Sequence, residues 1–163
     1  MSLIALRVVA FGTLLALAPQ LSAHEPVAKP RVVGALSPLA RGAAATVDAF
    51  HAALRKGDTR SASAMLASDV LIFEGGGVER TKLEYESHHL AADAAFTQAV
   101  PALLARRAGN AVGATAWIAS EGRTTGTYKG KPVDRVTAET MVLRRVGREW
   151  KIVHIHWSSA AKP

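Results

Sequence analysis

The sequence predicts an α+β domain in which a curved antiparallel sheet wraps around helices. Three observations carry this: apolar residues at helical spacing in the first half of the domain, long alternating segments in the second half, and two-residue turn signals containing glycine between those segments. The length of 163 residues suits one domain of ordinary size, and 49% hydrophobic against 20% charged residues is a globular balance. No apolar run reaches the ~18 residues that a membrane-spanning helix needs. Cysteine is absent, which excludes disulfide staples, Cys-ligated zinc, Fe–S clusters and thiol nucleophiles.

The chain opens with one positive charge in Met1–Arg7, an apolar stretch Val8–Ala18, helix-breaking Pro19 and a small residue at Ala23. These are the parts of a secretory signal peptide, residues 1–23, and they predict a periplasmic or secreted protein. No Cys follows the apolar stretch for lipid attachment, so no membrane association is expected after the signal is removed. Loss of Arg7 lowers the net charge from +7 to +6. The remaining bases (Arg55-Lys56, Arg106-Arg107, Lys129, Lys131, Arg144-Arg145, Arg148) are scattered and not interleaved with aromatics, so no nucleic-acid partner is expected.

Residues 24–42 contain Pro26, Pro30 and Pro38 with little periodicity and read as a flexible arm. From Ala43 to Lys56, Val47, Phe50 and Leu54 recur at helical spacing, and Gly57 stops the run. Asp58-Thr59 starts a second short helix through Ala67, broken by Ser68-Asp69. Val70–Phe73 reads as a strand, ended by a sharp bend at Gly75-Gly76-Gly77. Thr81 and Glu84 fit a capping box opening a third helix to about Val100, with apolar groups on two sides. Strands are expected at Leu103–Arg107, Val112–Tyr128, Val133–Arg145 and Trp150–Ser158, with turns at Gly109-Asn110, Lys129-Gly130 and Gly147-Arg148; 160–163 is a tail.

This order, closed by Trp150-Lys151-Ile152-Val153-His154-Ile155-His156-Trp157-Ser158, resembles the nuclear transport factor 2-like (SnoaL-like) superfamily, and within it small secreted members of uncharacterised function. Its His154-Ile155-His156-Trp157-Ser158 ending is also similar to the association domain of calcium/calmodulin-dependent kinase II. The resemblance covers residues 43–159. It implies a cone-shaped barrel around three helices, with a cavity between sheet and helices, assembled as a dimer or larger ring. Members include isomerases, cyclases, dehydratases, binding domains and oligomerisation modules, so fold alone does not give function.

With Gly147-Arg148 and Lys129-Gly130 as two-residue turns, unbroken pairing sets His156 opposite Glu139, His154 opposite Met141, Ile152 opposite Leu143 and Ser120 opposite Glu139. One face then holds Trp150, Ile152, His154, His156, Leu143, Met141, Glu139, Ile118 and Ser120. The other holds Trp117, Val142, Val153, Ile155 and Trp157, an apolar surface expected to form a homodimer interface. His88 and His89 project from the third helix toward the first face, with Tyr85 and Glu74 at its mouth. Asp93 reads as a helix-surface partner of His89.

A carboxylate-oriented imidazole is a general acid/base unit, and in an apolar pocket its pKa is tunable. The expected function is binding of a small anionic or weakly polar molecule in a cavity lined by His154, His156, Glu139, Ser120, His88, Tyr85, Met141 and Trp150. Three alternatives stand beside it: an isomerase- or dehydratase-type enzyme with His156 and Glu139 as catalytic pair, a copper or zinc protein with His154, His156 and His88 as ligands, and an oligomerisation module whose polar ladder satisfies only itself.

Overall fold

The structure, a computed structural model, describes residues 35–161. The predicted signal peptide, most of the arm and the last two residues of the tail lie outside the described residues. The end of the arm packs on the domain: Leu36 bridges to Gly109, and Ser37 caps a 3-10 turn, Pro38–Ala40.

Helix α1, Arg41–Lys56, buries Ala43, Ala44, Val47, Phe50, Ala53 and Leu54. It stops at Gly57, whose left-handed φ of 71° lets its N–H reach the carbonyls of Ala53 and Leu54. Asp58 caps α2, Thr59–Ala64, by accepting from the Ser61 N–H at 3.0 Å. Strand β1, Leu66–Glu74, begins earlier than predicted and absorbs Ser68-Asp69. Gly75 and Gly76, at φ 56° and 86°, turn it into β2, Gly77–Glu79, so the triple glycine makes a hairpin where a simple bend was expected.

The long third helix is two helices, α3 (Lys82–His88) and α4 (Leu90–Ala99), separated at His89. Thr81 caps α3 through the Glu84 N–H, and the Glu84 carboxylate reaches back to the Arg80 N–H. At the break the His89 imidazole bonds the buried Glu79 carboxylate of β2, and His88 lies 3.5 Å from the same group.

Strands β3 (Ala102–Val112), β4 (Thr115–Tyr128), β5 (Lys131–Val146) and β6 (Glu149–Ala161) form the meander. The six-stranded sheet has the order β2-β1-β6-β5-β4-β3. It is antiparallel except where β1 lies parallel to β6, and it curves without closing, so the expected cone-shaped barrel around three helices is an open sheet with four α-helices among the described residues. Gly109 is not a turn. It sits within β3 because a Cβ there would come within 2.7 Å of the Ile118 side chain and 2.8 Å of the Trp117 carbonyl. The chain turns instead at Gly113, φ 59°.

The core joins Val47, Phe50 and Leu54 of α1 to Ile118, Met141, Leu143, Ile152 and Ile155 of the sheet. Each of these large side chains contributes about 1.5–3 kcal/mol on burial.

One irregularity decides the site. The β4–β5 register is the predicted one, with Ser120 opposite Glu139. Between β5 and β6 the predicted register holds from Val146↔Glu149 to Leu143↔Ile152, and then a β-bulge leaves Val153 unpaired. Beyond it Val142 faces His154, Thr140 faces His156, and Glu139 faces Trp157. A one-residue shift exchanges the two sides of a strand. Ile155 and Trp157 therefore join the helix-covered side, while His154 and His156 go to the outer side with Phe73, Trp117 and Val142.

Candidate functional site

A cavity of about 520 Å³ lies between α1, α4 and the sheet, within the size range of small-molecule sites. Its wall includes Leu54, Phe96 and Thr97 from the helices, Thr124, Thr137, Glu139 and Trp157 from the sheet, and Glu74, Gly75 and Gly76 at the β1–β2 turn.

Glu139 is its chemical centre. Its side chain is 9% exposed, and one oxygen, Oε2, accepts from both partners: the His51 Nε2 lies at 2.7 Å and the Trp157 indole N–H donates at 2.8 Å. The other oxygen, Oε1, is buried without a hydrogen-bond partner among the described residues. Burial pushes the carboxyl up, but the hydrogen bond and charge of His51, the Trp157 N–H and the Arg107 charge outweigh it and hold Glu139 below the ordinary carboxylate range. Aromatic packing fixes the donors: the Phe50 ring stacks on Trp157 at 6.4 Å, and His51 meets Phe50 edge-on at 5.7 Å. Beside Glu139, Arg107 Nε donates to Ser120 Oγ at 3.2 Å and its Nη1 bonds Asp48.

At the helical side the Tyr85 hydroxyl donates to Asp93 Oδ2 at 2.7 Å. Burial raises Asp93 above its ordinary value, partly offset by the Tyr85 bond and the His89 charge. Burial and the Asp93 charge raise Glu74. Burial and Asp93 also push the Tyr85 phenol far up, so it stays protonated. One cavity thus holds an ionised carboxylate and carboxyls biased toward their neutral form.

The predicted site is only partly gathered here. Glu139 is central, Glu74 is at the mouth, Ser120 is beside Glu139, and Tyr85 is buried behind Asp93. The His156–Glu139 pair does not form, because the bulge turns His156 against Phe73 at 6.2 Å while its residue borders the cavity. His154 is bonded through Nδ1 to the Leu71 carbonyl at 2.8 Å on the outer side. Met141 is core, with no exposed surface. Trp150 is half-buried under the Arg145 guanidinium, with Gly42 against its indole. His88 is exposed beside Glu79. Among the described residues no group of three His, Cys, Asp or Glu side chains is placed to hold a metal ion, so the predicted three-imidazole set is not assembled.

Sequence reasoning missed His51 and misplaced Asp93. His51 stands four residues after Val47 and three before Leu54, on the buried face of α1, and that spacing is the signal that could have found it. Asp93 is not a surface residue: Phe96 and Thr97, three and four positions later, share the cavity wall with it.

A curved sheet covered by helices on one side, with a polar-floored hollow between them, defines a nuclear transport factor 2-like protein. Residues 43–162 match the SnoaL-like domain family, and the chain belongs to that family. Among solved structures it is similar to a candidate ketosteroid isomerase from Shewanella frigidimarina, at 38% identity and TM-score 0.71 over 76% of this chain and 100% of that one. It also resembles a candidate dehydratase of the nuclear transport factor 2-like family from Streptomyces avermitilis (20% identity, TM-score 0.65, 76% and 98% covered). A third likeness is to a candidate calcium/calmodulin-dependent protein kinase II association domain from Xanthomonas campestris (24%, 0.63, 80% and 94%). These last two show the fold alone. No curated protein matches significantly.

Proposed function

We propose that the protein binds a small molecule with an apolar body and at least one hydrogen-bond donor in the cavity between α1, α4 and the sheet. The observation that carries this reading is Glu139: a buried carboxylate whose Oε1 lacks a partner in a hollow large enough for a ligand. Buried acceptors are otherwise almost always satisfied, and a ligand donor completes this one. The test is native mass spectrometry of protein purified from its own host, together with a thermal-shift screen of small aromatic and alicyclic molecules. A retained mass or a stabilising hit that disappears in E139Q supports the reading; no ligand by either method, or hits indifferent to E139Q, removes it.

Acid/base catalysis is the second reading, favoured by the opposite pKa directions of Glu139 and Asp93 in one cavity. Glu139, oriented by His51, would take a proton, and the Tyr85–Asp93 pair would donate one; the isomerase and dehydratase descriptions of the Shewanella and Streptomyces structures agree with such chemistry. Turnover of this kind would show as protein-dependent exchange of the proton α to a ketone carbonyl in deuterated water, slowed about 10²-fold or more by E139Q.

Two further elements belong to the proposal. Residues 1–23 direct export, which an N-terminus at His24 on protein from the periplasmic or secreted fraction would support. The outer side of the sheet, with Phe73, Trp117 and Val142, pairs with a second copy; the likeness to the Xanthomonas campestris association domain is consistent with self-association.

A further inference from the structure

The cavity wall is strongly unequal in charge. Glu139, Asp93 and Glu74 line it with three carboxyl groups, and Arg135 is the single guanidinium among the lining residues. Arg107, near Glu139, is already bonded to Ser120 and Asp48. The Glu74 carboxyl makes no hydrogen bond or ion pair among the described residues, and Glu139 Oε1 is buried with no partner among them. The same wall offers the Trp157 indole and the Phe96 ring, the surfaces over which cations settle. An anion entering this space would meet three carboxyls with one exposed counter-charge; a cation would meet the accessible Glu74 carboxyl at the mouth and the Glu139 carboxylate in the wall.

We infer that the cavity selects a protonated amine on an aromatic or alicyclic body, its ammonium facing Glu139 with Asp93 and Glu74 completing the acidic wall. This rests on the reading that the cavity binds a small molecule and names that molecule's class. An ammonium supplies three donors and no acceptor, which matches the Glu139 carboxylate and the acceptor oxygens of the Asp93 and Glu74 carboxyls. The apolar body lies along Leu54, Phe96 and Trp157.

Three probes of similar shape separate the possibilities by calorimetry at neutral pH: phenethylamine, which is protonated there, 2-phenylethanol, which is neutral, and 3-phenylpropanoate, which is anionic. The expected order is amine tightest, by about tenfold or more over the alcohol, and carboxylate weakest; that step corresponds to one decade of Kd. E139Q is expected to remove most of the amine's advantage. E74Q, at the exposed rim where folding is not at stake, is expected to reduce it about threefold, with the alcohol changed by less in both variants. The inference is overturned if the alcohol binds as tightly as the amine, if the carboxylate binds best, or if the amine's advantage survives both substitutions. If the alcohol binds as tightly as the amine, the amine inference falls and the binding reading stands. If none of the three binds, the amine inference falls, and native mass spectrometry with the wider screen decides the binding reading.

Discussion

A carboxylate nine-tenths buried keeps its charge only where donors replace the lost water, and around Glu139 those donors are the His51 imidazole and the Trp157 indole, with Arg107 nearby. Because its folded pKa lies below the unfolded value, Glu139 adds stability at neutral pH that is lost as pH falls through the carboxylate range. E139Q is therefore expected to cost about 2 kcal/mol at neutral pH. That deficit should shrink below about pH 4 in denaturant melts; a deficit constant with pH would count against the ionised assignment. Asp93 has the opposite sign. Its raised folded pKa means that native stability declines as pH rises from its ordinary value toward the folded one. D93N, which keeps an acceptor for Tyr85, should gain on the parent chain across that interval, measured as the difference in Tm at acid and at neutral pH. At this scale Glu139 and Ser120 were legible as polar groups on an apolar sheet face, with Tyr85 and Glu74 at its mouth. His51 shares the helical spacing of Val47 and Leu54, but its role was not legible, because only the placement of the helix over Glu139 brings the imidazole to the carboxylate.

Elements were legible where backbone chemistry leaves few choices. Lys129-Gly130 and Gly147-Arg148 turn the chain as read, with Lys129, Gly130 and Gly147 at positive φ. The first of these turns fixed the β4–β5 register along its whole length. The β6 register failed after Ile152 because Ile152-Val153 offers no compositional mark of a bulge; the trace left in the sequence is an inward set of Ile152, Ile155 and Trp157 that departs from strict alternation. Gly109 misled in the other direction, since glycine marks close approach as well as turning. G109A should destabilise the protein by about 1–3 kcal/mol through overpacking against Ile118 and the Trp117 carbonyl, whereas G113A tests only backbone strain at φ 59°. The predicted third helix divided at His89 because Glu79, from a strand too short to announce itself, lies under both imidazoles. E79Q should loosen that junction, seen as faster amide exchange in α3 and the first turn of α4 with the β4–β5 pairing unchanged.

At the scale of the molecule, the open sheet has helices on one side and an outer side that still shows large apolar groups: Phe73 is 39% exposed, Trp117 37% and Val136 41%. Paired copies would cover them. The proposal expects a dimer at micromolar concentration in sedimentation velocity, and W117R/V142R should give a monomer with Tm nearly unchanged, because neither residue belongs to the core. A monomeric parent chain would end the dimer proposal while leaving the cavity untouched. The fold class was readable from element order and turn chemistry. That the sheet stays open and includes a parallel β1–β6 pair was not, since both depend on where a single early strand docks after the meander is complete.

The unpaired Val153 has a consequence for altering this scaffold. Removing it would join Ile152↔Leu143 directly to His154↔Val142, so every later residue of β6 would keep its side while the strand lost its local kink. Curvature and lining chemistry are thus separately adjustable here: one deletion would flatten the wall and resize the chamber, with the carboxylate and indole of its lining left in place.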